Sequence, residues 1–170
     1  GLGTELGMVA SIFHILSHAA TKSLLFISAI GLTDVSKGSR KFQDLTGAAY
    51  RHKIAGIGFT VGSLSMVGMP LFSGFVSKLL FAQASIGHAY KMLPALIVLG
   101  ISTILNAIYF MKTVIRIFVP ERRSDCEVIT IKSEKTYALT IVLFIALNIA
   151  LGMLSQPIVE WIKMGLDMFA

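Results

Sequence analysis

Four long apolar runs separated by short polar segments organise the chain. They cover roughly residues 7–32, 54–86, 93–119 and 137–154. A helix needs about 20 mostly apolar residues to span a bilayer core. Each run is therefore expected to cross a membrane, and residues 1–170 read as one all-α, polytopic transmembrane bundle. The tail, residues 157–170, mixes Trp161, Lys163 and Asp167 with Ile158, Val159, Ile162, Met164 and Phe169. That mixture predicts an interfacial helix with Trp161 at headgroup level, or the end of the last helix.

The second run is too long for one straight helix, since residues 54–86 would extend about 50 Å at 1.5 Å per residue. It contains Gly68, Met69, Pro70, Leu71, Phe72, Ser73 and Gly74 in succession. Pro70 removes a backbone donor and disfavours helical geometry at Met69. Gly68 and Gly74 lower the cost of unwinding. A discontinuous helix, broken near residues 69–74, is expected.

Charge suggests that this broken segment crosses once. Lys37, Arg40, Lys41, Arg51 and Lys53 lie in the loop at 33–53, and Arg122, Arg123, Lys132 and Lys135 in the loop at 120–136. A single crossing puts both loops on one side, gathering nine of the 15 Lys and Arg residues there. The positive-inside rule then makes both loops cytoplasmic and turns the N-terminus and tail outward.

Composition agrees with a lipid environment. Of the 170 residues, 55% are hydrophobic and 14% charged, and the mean hydropathy is +0.78. Soluble domains carry about 25% charged residues. The net charge of +6 does not indicate nucleic acid, because the basic residues lie in loops without an aromatic-interleaved face. Cys126 is the single cysteine, which leaves no disulfide framework or cysteine-based zinc site within the chain. The start, Gly1-Leu2-Gly3-Thr4-Glu5, lacks an initiator Met and a signal-peptide pattern, as expected of an internal or C-terminal piece of a longer protein.

The nine Asp and Glu residues fall outside the apolar cores, whereas Lys22 and Lys78 fall inside. A Lys at the centre of an inserted helix costs about 2.5–3.5 kcal/mol. It is tolerated where it reaches water, pairs with an acid from another helix or gives up its proton; the bland alternative is snorkelling to the interface. Desolvation disfavours an ammonium, so an amine among apolar helices suits proton exchange.

His14, His18 and Lys22 are spaced four residues apart and form a polar ladder about 12 Å long on one helix face, with Ser11 and Ser17 nearby. Histidine titrates where a proton relay operates. Two His without a nearby acid or Cys supply too few ligands for a metal, so no metal is expected. Lys78 follows the helix break, where unpaired backbone is tolerated beside water. Asn106 is read as a pathway or packing residue, and Asn148 as an interhelical hydrogen-bond partner. Gly58 and Gly62 suggest close helix packing. Lys112 and Arg116 are expected to snorkel at the cytoplasmic end.

His14-x-x-x-His18-Ala19-x-x-Lys22-Ser23-Leu24-Leu25-Phe26 resembles the second-half histidine–lysine helix of the proton-conducting antiporter-like family. That family includes the large membrane subunits of respiratory complex I, Mrp-type antiporters and energy-converting membrane hydrogenases. Gly68-Met69-Pro70-Leu71-Phe72-Ser73-Gly74-Phe75-Val76-Ser77-Lys78 resembles its Gly-x-Pro-Pro-x-x-Gly-Phe-x-x-Lys pattern at the discontinuous helix. Of the pattern's two prolines, Pro70 remains. Leu79 stands where some complex I subunits have Asp, closer to the Mrp-like and hydrogenase-like members. The likeness covers roughly residues 1–90.

The resemblance implies a fragment of a larger fold of about fourteen helices, whose absent first half carries an essential Glu–Lys pair. It implies that His14, His18 and Lys22 lie on a central hydrophilic axis, and that Lys78 exchanges protons with the outward side. It further implies partner membrane subunits, and a bacterial or archaeal cytoplasmic membrane. The expected function is part of a proton, or sodium/proton, translocating subunit of a redox-driven or Mrp-type complex. The alternative is a structural membrane subunit whose polar residues only pack against partner helices. A membrane-embedded enzyme lacks support, because the sequence shows no redox-ligand set, nucleophile constellation or phosphate loop. No catalytic centre or cofactor is expected in this chain.

Overall fold

The computed structural model describes residues 3–86, 89–120 and 135–168. Arg122, Arg123, Lys132 and Cys126, named above, lie outside the described residues. Seven α-helices occur among those described: α1 (Glu5–Asp34), α2 (Ala48–Arg51), α3 (Lys53–Val67), α4 (Ser73–Ile86), α5 (Ala89–Ile117), α6 (Lys135–Met153) and α7 (Ser155–Asp167). A 3-10 turn at Phe42–Leu45 precedes α2. No strand occurs among the described residues. The chain is an all-α membrane bundle.

Helix α1 is the axis of the bundle, packing against α3, α4, α6 and α7. Its start is fixed by Thr4, whose hydroxyl accepts the Gly7 N–H at 3.0 Å, as an N-cap should. With α5 and α6, it is long and apolar enough to cross a bilayer. At 15 and 14 residues, α3 and α4 are each shorter than the roughly 20 residues a crossing needs.

The two half-helices run in one direction. Thr21 meets Ser65, Ser17 meets Ser73 and His14 meets Ser77. Partners on α1 thus descend steadily as α3 and α4 ascend, so the segment is one interrupted antiparallel neighbour of α1. A hairpin would reverse that order at the break.

Small residues let α3 approach closely. A Cβ at Gly58 would press on Ser28 and Ile141, and one at Gly62 would lie 2.8 Å from Leu25 Cγ. The interface clusters Leu25, Leu32, Ala48, Ala55 and Phe59 with Phe110 and Ile117 of α5. At the loop end, Arg51 is buried rather than solvated. It donates to the Val35 and Thr46 carbonyls at 3.1 and 3.0 Å and to Ser36 Oγ at 3.2 Å. This loop cation therefore ties down the end of α1. Arg116 of α5 reaches the Gln43 carbonyl at 3.4 Å, and Lys112 lies 5.4 Å from the Phe42 ring centroid.

The tail forms a helix of its own. Pro157 falls in the first turn of α7, where a missing N–H costs little. Ile158, Val159 and Ile162 pack against Ala10 and Phe13 of α1 and Leu80 of α4, while Glu160, Trp161 and Lys163 are exposed.

The break spans residues 68–72, so Gly74 sits in the first turn of α4. Gly68 has φ +93° and Leu71 φ +92°, the latter costly for a bulky side chain. A Cβ at Gly74 would collide with the Ser65 carbonyl, and one at Gly152 of α6 with the Leu71 carbonyl. Backbone stands on the other side of each contact, so neither gives way cheaply. Gly74→Ala and Gly152→Ala should each lower stability by about 1–3 kcal/mol through overpacking. Gly100→Ala, which meets nothing within 4 Å, should not; thermal unfolding in detergent compares the three.

Candidate functional site at the helix break

A helix of α3's kind leaves its last four carbonyls without helical partners. Here the Gly68 N–H bonds the Ser65 carbonyl at 3.0 Å and the Met69 N–H bonds the Leu64 carbonyl at 3.0 Å, the paired bonds of a Schellman ending. Met66 and Val67 remain. Lys78 Nζ, from the second turn of α4, donates to the Met66 carbonyl at 3.0 Å and the Val67 carbonyl at 2.6 Å. The ammonium thereby closes the broken end and faces the negative pole of the α3 dipole.

The start of α4 is held by hydroxyls. Ser65 Oγ accepts the Gly74 N–H at 3.4 Å and donates to Asn148 Oδ1 at 2.9 Å. The same amide oxygen accepts from Thr21 Oγ1 at 2.8 Å and Ser73 Oγ at 2.9 Å, and Ser17 Oγ donates to Ser73 Oγ at 2.9 Å. Asn148, Ser65 and Ser73 are fully buried. One α6 side chain thus joins α1 to both stubs of the interrupted helix.

Along the α1 ladder, His14 Nδ1 and Ser77 Oγ share a hydrogen bond at 2.8 Å. The His14 and His18 rings neighbour one another, with centroids 5.3 Å apart and planes tilted by 34°. His14 is exposed along one flank, while His18 and Lys22 are half-buried. Lys22 Nζ lies 5.9 Å from the Phe26 ring centroid.

A cavity of about 280 Å³ adjoins the break and is lined by His14, His18, Lys78 and Asn106, with Ser77 and Thr21 among the hydroxyls. At about 30 Å³ per molecule it has room for several waters. Three of the four residues expected on a proton path therefore face one space, and Asn106 faces it too. Lys22 lies one turn further along α1, outside this lining. The lining carries three basic side chains and no carboxylate.

Sequence reading did not assign Ser65, Ser73, Ser77 or Thr21 to the site. A signal existed: Ser17/Thr21 and Ser73/Ser77 repeat the four-residue spacing of His14/His18, which places hydroxyls on one helical stripe.

Residues 1–111 match the family described as NADH:quinone oxidoreductase/Mrp antiporter, TM. The chain belongs to that family. Among curated relatives of this quinone oxidoreductase/Mrp antiporter member is NADH-quinone oxidoreductase subunit N of Saccharopolyspora erythraea, 25% identical over 95% of this chain and 31% of the relative. Na(+)/H(+) antiporter subunit A1 of Staphylococcus haemolyticus is 30% identical over 91% of this chain and 21% of its own length. The Hydrogenase-4 component F homolog of Methylacidiphilum infernorum is 32% identical over 64% of this chain and 22% of that protein. The chain thus spans a third or less of these relatives' lengths. A chain of the Mrp complex from Dietzia sp. DQ12-45-1b shares the fold, with a TM-score of 0.80 and 22% identity over 95% of this chain and 38% of that one.

In this family member, the Asn148 knot should be read as a stability element. Asn148→Ala leaves three hydroxyls without their shared acceptor and should cost about 1–3 kcal/mol. Ser73→Ala should cost less, because Asn148 Oδ1 keeps Thr21 and Ser65. Unfolding of the purified membrane protein compares them.

Proposed function

We propose that this chain is part of a proton, or sodium/proton, translocating subunit within a multisubunit membrane complex. Protons would pass by His14, His18 and Lys22, with water between the rungs, and exchange with the outward side at Lys78. The observation that carries this reading is the cavity shared by His14, His18, Lys78 and Asn106 beside an interrupted helix. Interrupted membrane helices are tolerated where they meet protein or water. An amine in that position can pass a proton to water without a large rearrangement.

Partners in this reading are other membrane subunits and the N-terminal half of the family fold. The latter would supply the carboxylate that the cavity lining lacks. A bacterial or archaeal cytoplasmic membrane is the proposed location, with loops 33–53 and 120–136 cytoplasmic. The names of the relatives, quinone oxidoreductase, antiporter and hydrogenase component, support an ion-translocating complex.

A second reading has its own observation. The two hydrogen bonds from Lys78 to the Met66 and Val67 carbonyls also suit a purely structural cap. Arginine separates the two, because a guanidinium donates hydrogen bonds but keeps its proton at any relevant pH. In the assembled complex, Lys78→Ala and Lys78→Arg should both abolish ion translocation, measured with a pH dye in proteoliposomes. Normal transport in Lys78→Arg would leave the structural cap as the residue's whole role. His18→Leu should also cause a marked loss, with His14→Leu/His18→Leu scarcely worse, because coupled groups titrate as a unit. Strictly additive losses would mean that the histidines act separately.

Sidedness has a direct test. With Cys126→Ser as background, cysteines at Ser39 and Ser124 should both resist an impermeant thiol reagent applied to intact cells. Labelling of just one of them would put the loops on opposite faces.

A further inference from the structure

A second cavity, of about 570 Å³, lies beside the first and is lined by Gly7, Ser11, Ser85, Pro94 and Val98 together with Phe81, Leu99 and Ser102. Phe81, Leu99 and Ser102 also line the polar cavity. The two spaces therefore adjoin along a wall of α4 and α5 residues. Gly7 and Ser11 come from the first turns of α1, and Ser85 from the last turn of α4. The larger space thus occupies the end of the bundle where α1 begins, and the polar one lies deeper.

Phe81 is the bulky part of that wall. It stands one turn beyond Lys78 and Ser77 on α4, and its ring meets His14 edge-on with centroids 5.5 Å apart. Phe81 also packs against the cluster of Ala10, Phe13 and Leu80. An aromatic ring between two spaces large enough for water interrupts a hydrogen-bonded chain, because a narrow apolar constriction empties of water.

We propose that Phe81 is a hydrophobic gate between the polar cavity at Lys78 and a water-filled vestibule that opens at the α1 N-terminal end. This deepens the proposed function and rests on its reading of Lys78 as a proton-exchanging group. The ring blocks continuous water between His14, Ser77 and Lys78 on one side and Ser11 and Ser85 on the other. Its edge contact with His14 links the gate to the first rung of the ladder.

Thiol accessibility reads the gate without measuring transport. The full-length protein in its assembled complex is used, with other cysteines removed and Cys126→Ser included. Ser11→Cys and Ser77→Cys are each exposed to an impermeant methanethiosulfonate from the α1 N-terminal side. Ser11→Cys should react and Ser77→Cys should resist. Ser77→Cys combined with Phe81→Ala should react about ten-fold faster or more, as expected when a dry constriction is opened. Phe81→Leu replaces Phe81→Ala if the latter does not assemble, with a smaller acceleration expected. Equal rates for Ser77→Cys with and without the Phe81 change would overturn the gate, as would an unreactive Ser11→Cys. These outcomes are read without the Lys78 transport assay, so failure of the gate and failure of the Lys78 reading are distinguishable.

Discussion

The bond pair between Lys78 and the Met66 and Val67 carbonyls is the constraint on which the site depends. In hydrocarbon an unpaired backbone group costs several kilocalories per mole. An interrupted helix survives only if the carbonyls at its broken end find donors. The Schellman turn supplies two, and one ammonium supplies the rest. Lysine suits this position because its three rotatable donors reach neighbouring carbonyls along a flexible stem. The same attachment places a titratable group at the edge of a polar cavity.

Holding the break in shape falls to neutral groups. Asn148 gathers Thr21, Ser65 and Ser73 on one amide oxygen, joining four helices through uncharged oxygens. Buried neutral hydrogen bonds avoid the desolvation penalty of an ion pair. They also leave the local field to the basic residues of the cavity. Gly74 and Gly152 complete the arrangement by letting backbone meet backbone where a side chain would force the stubs apart.

Three basic side chains facing one cavity without a carboxylate are an electrostatically incomplete set. Repulsion among protonated forms is relieved by water, by release of a proton or by an acid from elsewhere. His14 opens along a flank of the bundle, and this chain spans only a fraction of its relatives' lengths. Under the proposed function, both facts fit a site whose counter-charge lies outside this chain.

Hydropathy alone identified the all-α membrane class, because 20-residue apolar runs have few other uses. Pro70 between Gly68 and Gly74 marked the interruption, since each residue changes backbone energetics locally. Four-residue spacing placed His14 and His18 on one face for the same reason: helical geometry is a property of the chain itself. What Lys78 touches was not legible, because the Met66 and Val67 carbonyls are backbone groups that every sequence possesses. Nor was the convergence of Thr21, Ser65, Ser73 and Asn148, which come from four helices and meet only through packing. Arg51 looked like one more loop cation until the fold turned it inward onto the end of α1. The tail's own sequence allowed a frayed end as readily as α7, and only its contact with Ala10, Phe13 and Leu80 distinguishes them. Local energetics can be read along a chain; which donor meets which acceptor across 50 or 100 residues is decided when the helices pack.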